Sequence, residues 1–268
     1  MQSTGAAASA AQASPPPTAR GARAGAGATA SVSSAPRRIR SPNFFVGFRI
    51  VNPAIIANVT QLQHRIATQF PDVARCIIDA RTLHVTLCTL HLANEQDIQD
   101  AVRIFEEHFH RAGLPPFGDD APAFDFRGVD FFGNNYILYT PLDVSSRYAD
   151  TLAGLAETLH KAFDALGLTT GQFRKPYTPH LTLWKTTKFI KYIRQLNKQR
   201  TCPIEFELGD YLNEQEPEHF GTEHPTSIAL LSMREKEADG FYKVCASASL
   251  VLPSPDEGAE QESSQVSP

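Results

Sequence analysis

The chain has 268 residues, 42% of them hydrophobic, enough for one sizeable domain or two small ones. Twenty-nine acidic against 25 basic side chains leave a formal net charge of −4, which excludes a globally basic nucleic-acid binder while leaving room for a local basic groove. No apolar run approaches the length of a membrane span and no signal-peptide core is visible. The four cysteines, Cys76, Cys88, Cys202 and Cys245, form no C-x-x-C pair and read as reduced thiols of an intracellular protein of cytoplasm or nucleus.

Residues 1–43 are Ala, Ser, Gly and Pro with arginines and no acidic residue, too poor in apolar side chains to offset their ordering entropy. They read as a disordered segment whose acid-free composition also fits organellar targeting. A domain follows over 44–252, and residues 253–268 form an acidic, Pro- and Ser-containing tail. Within the domain, 43–50 predicts a strand, and 54–70 a helix with Ile56, Val59, Leu62, Ile66 and Phe70 at helical spacing. A strand over 83–92 precedes a helix capped by Asn94 and carrying Ile98, Val102, Phe105 and Phe109. Strands at 123–132 and 135–142 joined by Gly133-Asn134, a helix over 147–166 and a strand over 179–185 come next. Strands at 227–233 and 241–252 close a hairpin around Ala238-Asp239-Gly240. Helices and strands interleave without a fixed period, so the class is mixed α+β.

Two strands carry chemistry. In "RTLHVTLCTLHL" Leu83, Val85 and Leu87 alternate with His84, Thr86 and Cys88, so an imidazole and a hydroxyl share one face. "PHLTLWK" repeats the pattern with His180 and Thr182, again framed by leucines. With nine histidines in the chain, roughly two-thirds of one H-x-T match arises by chance. A third match, His224-Pro225-Thr226, lacks the apolar frame, and Pro225 cannot sit in a central strand. Cleaving a phosphodiester needs a base for the attacking hydroxyl, an acid for the leaving oxygen and donors for the phosphoryl oxygens. Two histidines titrating near neutral pH, each with a threonine hydroxyl two positions on, supply all three.

The framed motifs resemble the twin H-x-T-hydrophobic signature of the 2H phosphoesterase superfamily. "FFVGFRI", "LHVTLCTLHLANEQDI", "FRGVDFFGNN", "RKPYTPHLTLWK" and "ALLSMREKEADGFYKV" are similar to its eukaryotic branch, the phosphoesterase-like (2′,5′ RNA ligase-like) domain of an A-kinase anchoring protein. The resemblance implies a bilobal, pseudo-two-fold α+β fold, with two antiparallel sheets flanking a central groove and helices outside. It implies a phosphoric diester hydrolase acting on RNA-derived phosphodiesters such as 2′,5′-linked oligoadenylates, cyclic phosphates or RNA ends, with a ribose hydroxyl as nucleophile.

Charge points the same way. Lys185, Arg174 and Lys175 flank the second motif and are candidates for substrate phosphate; Tyr177 can stack on a base, bond a phosphate or simply pack. Phe132 and Tyr136, beside Gly133, are candidates for the groove wall. A basic run from Lys185 to Arg200, with Lys188, Lys191 and Lys198 near one helical face, is followed by an acidic run from Glu205 to Glu223; the distal lysines read as further contacts for an anionic ligand or as solvated surface, and the acidic run as their solvated neighbour. His108-x-His110 and the pair His219 and His224 lack the Cys or carboxylate company of a metal site, so neither metal nor other cofactor is expected. A monomer with an RNA, oligonucleotide or nucleotide substrate is expected, with protein partners left open. Two other functions fit the same residues: a nucleotide- or RNA-binding scaffold without turnover, and a ligase joining 2′,5′ ends by the reverse reaction.

Overall fold

The computed structural model describes residues 40–111, 117, 121–132, 137–143, 148–171, 173, 176–186 and 219–251. The chain divides at Arg37/Arg38 into two units, and all of these residues fall in the second.

Strands β1 (Phe44–Arg49), β2 (His84–Leu90), β3 (Phe124–Arg127), β4 (Asp130–Phe132), β5 (Ile137–Pro141), β6 (His180–Lys185), β7 (His219–Glu223), β8 (Ser227–Lys236) and β9 (Tyr242–Ser249) alternate with helices α1 (Pro53–Gln69), α2 (Glu95–Arg111) and α3 (Ala149–Ala165). Two short 3-10 turns, Pro71–Cys76 and Ala80–Thr82, join α1 to β2. Seven strands form one sheet in the order β4-β5-β6-β2-β1-β8-β9, and β3 pairs with β7 in a second. Every pairing is antiparallel. The large sheet has two halves, β4-β5-β6 and β2-β1-β8-β9, joined through a single Cα pair, Val85 with Leu181. The α+β class and its antiparallel sheets are as expected, with the two motif strands meeting at that one pair.

One face of the sheet packs on the helices. Val46, Phe48, Val85, Leu181 and Leu230 share a cluster with Ile55, Val59, Leu62 and Ile66 of α1, Phe105 of α2 and Leu152, Leu159 and Phe163 of α3. Asn52 caps α1 by accepting from the Ala54 N–H at 2.8 Å, with Pro53 at the first helical position, and Asn94 caps α2 by accepting from the Asp97 N–H. The opposite face carries a smaller cluster of Phe45, Leu231 and Phe241. No described helix is long and apolar enough to cross a membrane.

Four expectations need correction. The strand over 123–132 is two strands in different sheets, because Gly128 takes φ 73° and turns the chain between β3 and β4. Ile55 is buried where Ile56 was expected, and the α1 face also buries Gln63. The end of the acidic run is β7, not solvated surface: Glu223 is 1% exposed, and its Oε2 accepts from the N–H groups of Val51 and Asn52, both at 2.9 Å. The closing strand ends at Ser249 rather than 252. The basic run beyond Thr186 lies outside the described residues.

Candidate active site

His84 and His180 open β2 and β6. The antiparallel register that pairs Val85 with Leu181 brings His84 level with Thr182 and Thr86 level with His180. Each strand then carries a β-bulge at the same place. Gly47 pairs with Thr86 and Val46 with Cys88, leaving Leu87 unmatched; Tyr139 pairs with Thr182 and Leu138 with Trp184, leaving Leu183 unmatched. A bulge places two successive side chains on one side and reverses the alternation beyond it. Leu87 and Cys88 are accordingly both buried, as are Leu183 and Trp184. The bulges override simple alternation at two positions. Cys88 belongs to the core and not to the face of His84, whereas Lys185 emerges on the face of His180 and Thr182.

The imidazoles are held alike. Nδ1 of His84 lies 2.7 Å from the Thr82 carbonyl oxygen, and Nδ1 of His180 lies 2.8 Å from that of Thr178. A carbonyl only accepts, so both Nδ1 atoms carry a proton and donate it, and Nε2 is left on each ring to take up or give a proton. Aromatic pairs fix the ring planes. His84 lies 4.5 Å from Phe45 and 5.3 Å, edge-on, from Tyr242; His180 lies 4.8 Å from Phe132 and 5.3 Å from Tyr139, both edge-on. Phe132 and Tyr139 are themselves stacked 3.9 Å apart.

Burial pushes His84 down to about 4; the Thr82 carbonyl opposes this, while His180, Lys185 and Lys236 reinforce it. Burial also lowers His180, with the Thr178 carbonyl opposing and Lys185 reinforcing. Lys185 thus acts on both rings from the end of β6, as expected of a residue facing the site. The Thr86 and Thr182 side chains are half-buried, and their hydroxyls make no hydrogen bond among the described residues. Thr82 and Thr89 differ: the first donates to the Asp79 carbonyl, the second pairs with Thr170.

Tyr177 has a fixed partner. Its hydroxyl donates to the Thr86 carbonyl oxygen at 2.7 Å and its ring stacks near Phe173, so it ties the segment before β6 to the first motif. Gln63 makes the matching contact at the second bulge. Its Nε2 donates to the carbonyl oxygens of Leu183, at 2.8 Å, and Ile78, at 2.9 Å. The hydroxyl and amide therefore hold the two bulges from opposite elements. Arg174, Lys175, Gly133 and Tyr136 lie outside the described residues, while Phe132 stands against His180. Gln63, Phe45, Tyr139, Tyr242 and Lys236 were missed by sequence reasoning. The signal for Gln63 was an amide on the apolar stripe of α1; the others lie on strands remote in sequence. No group of three or more His, Cys, Asp or Glu able to hold a metal occurs among the described residues.

Two histidine–threonine strands meeting in register, on a fold of antiparallel sheets and outer helices, are the frame of a 2H phosphoesterase. Residues 42–250 match the family model of the AKAP7 2'5' RNA ligase-like domain, and the chain belongs to that family of the 2H superfamily. A-kinase anchor protein 7 isoform gamma of Homo sapiens is 26% identical over 212 residues, covering 77% of this chain and 56% of the relative. The chain thus spans about half the length of that relative. Among solved structures, TT0787 of Thermus thermophilus superposes with a TM-score of 0.50 at 20% identity, over 78% of this chain and 97% of that one, a likeness of fold. The E. coli LigT structure complexed with 3'-AMP aligns at 18% identity with a TM-score of 0.48, over 79% of this chain and 99% of that one.

Proposed function

We propose that the chain is a metal-independent phosphodiesterase acting on RNA-derived phosphodiesters: 2′,5′-linked oligoadenylates, cyclic phosphates or RNA ends. The observation that carries this reading is the matched pair of imidazoles, each with Nδ1 tied to a carbonyl two residues back and each beside an uncommitted threonine hydroxyl.

His84 is the base. Burial above all, with the second imidazole and two lysines adding to it, makes it the ring more readily neutral, and its Nε2 removes the proton from the ribose hydroxyl next to the phosphodiester. That oxygen attacks phosphorus while the bond to the leaving ribose oxygen breaks. His180, on which Lys185 acts, protonates the leaving oxygen through its own Nε2. The Thr86 and Thr182 hydroxyls donate to the non-bridging oxygens, and Lys185 offsets their charge. From a linear linkage the products are a cyclic phosphate and a free hydroxyl; with a cyclic phosphate as substrate, water takes the place of the ribose hydroxyl and the ring opens to a monoester, and no metal is required at any step. Arg174 and Lys175 belong to the same proposal as cations flanking the second motif, and Tyr177 acts by holding β2 and β6 in place.

Incubation in EDTA with a 2′,5′-linked adenylate trimer, its 3′,5′ isomer and a cyclic phosphodiester tests the reading. Cleavage of the 2′,5′ trimer with chelator present supports it. Binding of all three without turnover would instead favour a nucleotide-binding module, in keeping with the anchoring role in the human relative's name.

A further inference from the structure

His180 stands against two stacked rings whose place is set by a carboxylate. Its imidazole centre lies 4.8 Å from that of Phe132 and 5.3 Å from that of Tyr139, although the two rings are themselves 3.9 Å apart. Such near-equal distances put the imidazole beside the stack, against the edges of both rings and over the face of neither. The Tyr139 hydroxyl donates to Asp130 Oδ2 at 2.8 Å, and Asp130 Oδ1 accepts from the Phe131 N–H at 2.7 Å. We propose that Asp130 is a positioning residue for the general acid: acting through Tyr139, it fixes the aromatic wall that orients the His180 ring toward the leaving oxygen. The inference rests on the phosphodiesterase reading and adds to it a residue that acts at one remove from the reacting atoms.

The sheet builds this contact by register. Asp130 on β4, Tyr139 on β5 and Thr182 on β6 are successive Cα partners, a row across three strands on the face that carries the site. Tyr139 is buried, and a buried phenol needs an acceptor. Asp130 supplies one from the exposed edge strand of the large sheet. Burial, and then this carboxylate, raise the Tyr139 phenol, so its hydroxyl stays a donor. Phe132 lies two residues after Asp130 on the same strand, so β4 holds both the anchor and the outer ring of the stack. The His84 side is arranged otherwise: Phe45 and Tyr242 meet edge to face at 87°, and Tyr242 is set against the neutral Thr82 side chain. The charge at Asp130 also has the sign an acid needs. A hydrogen bond to a carboxylate enriches the phenol ring and makes the edge facing His180 less positive, which favours the protonated imidazole. Lys185 and His84 are the other titratable groups that interact with the His180 ring.

The test joins two substrates to one spectrum. In Asp130→Ala and in Tyr139→Phe, kcat for a 2′,5′-linked adenylate trimer should fall about tenfold. For a p-nitrophenyl phosphodiester of a ribonucleotide, whose leaving group needs no proton, the fall should be less than about twofold. Asp130→Asn keeps an accepting oxygen and should retain most of the activity. The double variant Asp130→Ala/Tyr139→Phe should lose no more than the worse single variant, because both changes remove one contact. With no substrate present, the Cε1–H proton resonance of His180, identified by its absence in His180→Ala, should move in Asp130→Ala while that of His84 stays in place. Equal losses on the two esters, multiplied losses in the double variant, or an unmoved His180 resonance in folded Asp130→Ala would overturn the assignment. Failure of the wild type to cleave either ester would count against the phosphodiesterase reading alone, since the resonance is read without turnover.

Discussion

Val85 and Leu181 face each other as the single Cα pair joining β2 to β6, and each is the middle residue of a histidine–threonine motif. The halves of the large sheet thus meet where the two motifs meet. Both residues are buried against the helices, so the alternation that buries them turns His84, Thr86, His180 and Thr182 to the opposite face. Core packing and site assembly are one geometric fact.

The threonines test what that face is for. Because the Thr86 and Thr182 hydroxyls bond nothing among the described residues, Thr86→Val and Thr182→Val should leave the melting temperature within about 2 °C of wild type, as a change below about 0.5 kcal/mol implies. Turnover should fall by up to about 10²- to 10³-fold, the range seen when one donor to a developing oxyanion is lost. Turnover unchanged in both variants would remove the hydroxyls from the mechanism.

Gly47 and Gln63 test the bulges. A Cβ at Gly47 would lie 2.2 Å from the Val85 carbonyl oxygen, so Gly47→Ala must separate β1 from β2 beside Thr86. The cost should be about 1–3 kcal/mol by chemical denaturation, as for other overpacked sites. Gln63→Leu leaves the Leu183 and Ile78 carbonyls without that amide donor, and about 1–3 kcal/mol should again be lost. Unaltered denaturation midpoints in both variants would mean that the bulges are not held as described.

The depressed histidines set the pH dependence. The base must be neutral and the acid charged, so kcat/KM should be bell-shaped, with its rising limb near 4 and its falling limb below 6.5. A bound phosphodiester opposes the desolvation of the cations, so kcat should fall off at higher pH than kcat/KM. Stability carries the same sign. Between about 4 and 6.5 the unfolded chain binds protons that folded His84 does not, so stability is lost as pH falls through that window. His84→Ala should flatten this slope. A kcat/KM profile rising steadily from pH 6 to pH 8 would contradict the assignment.

A leaving group that needs no proton separates acid from base. With a p-nitrophenyl phosphodiester of a ribonucleotide, His180→Ala should lose less than about tenfold, whereas His84→Ala should lose about as much as with the natural linkage. The reverse pattern would exchange the two roles.

The four histidine and threonine residues of the candidate site were legible because they are local. Each H-x-T sits within three residues, and leucine framing is enough to mark a strand and its open face. What escaped was whatever the pairing partner decides. The bulges at Leu87 and Leu183 show only in the register with β1 and β5, so simple alternation along the strand misplaces Cys88 and Lys185. Gln63 could not be placed from the sequence because its acceptors lie 15 and 120 residues away. β7 was hidden because Glu223 is made tolerable in the core by the backbone N–H groups ahead of α1, which composition does not reveal. Lys236 and Tyr242 reach His84 only through the order β2-β1-β8-β9.

The measurement that bears most directly on the central claim is turnover of a 2′,5′-linked adenylate trimer in EDTA by wild type, His84→Ala and His180→Ala, each shown to be folded by its melting curve. The account predicts that wild type cleaves the trimer with the chelator present and that each alanine variant loses about 10²-fold or more. Wild-type activity that vanishes in EDTA and returns with a divalent ion, or full turnover in either folded variant, would contradict it.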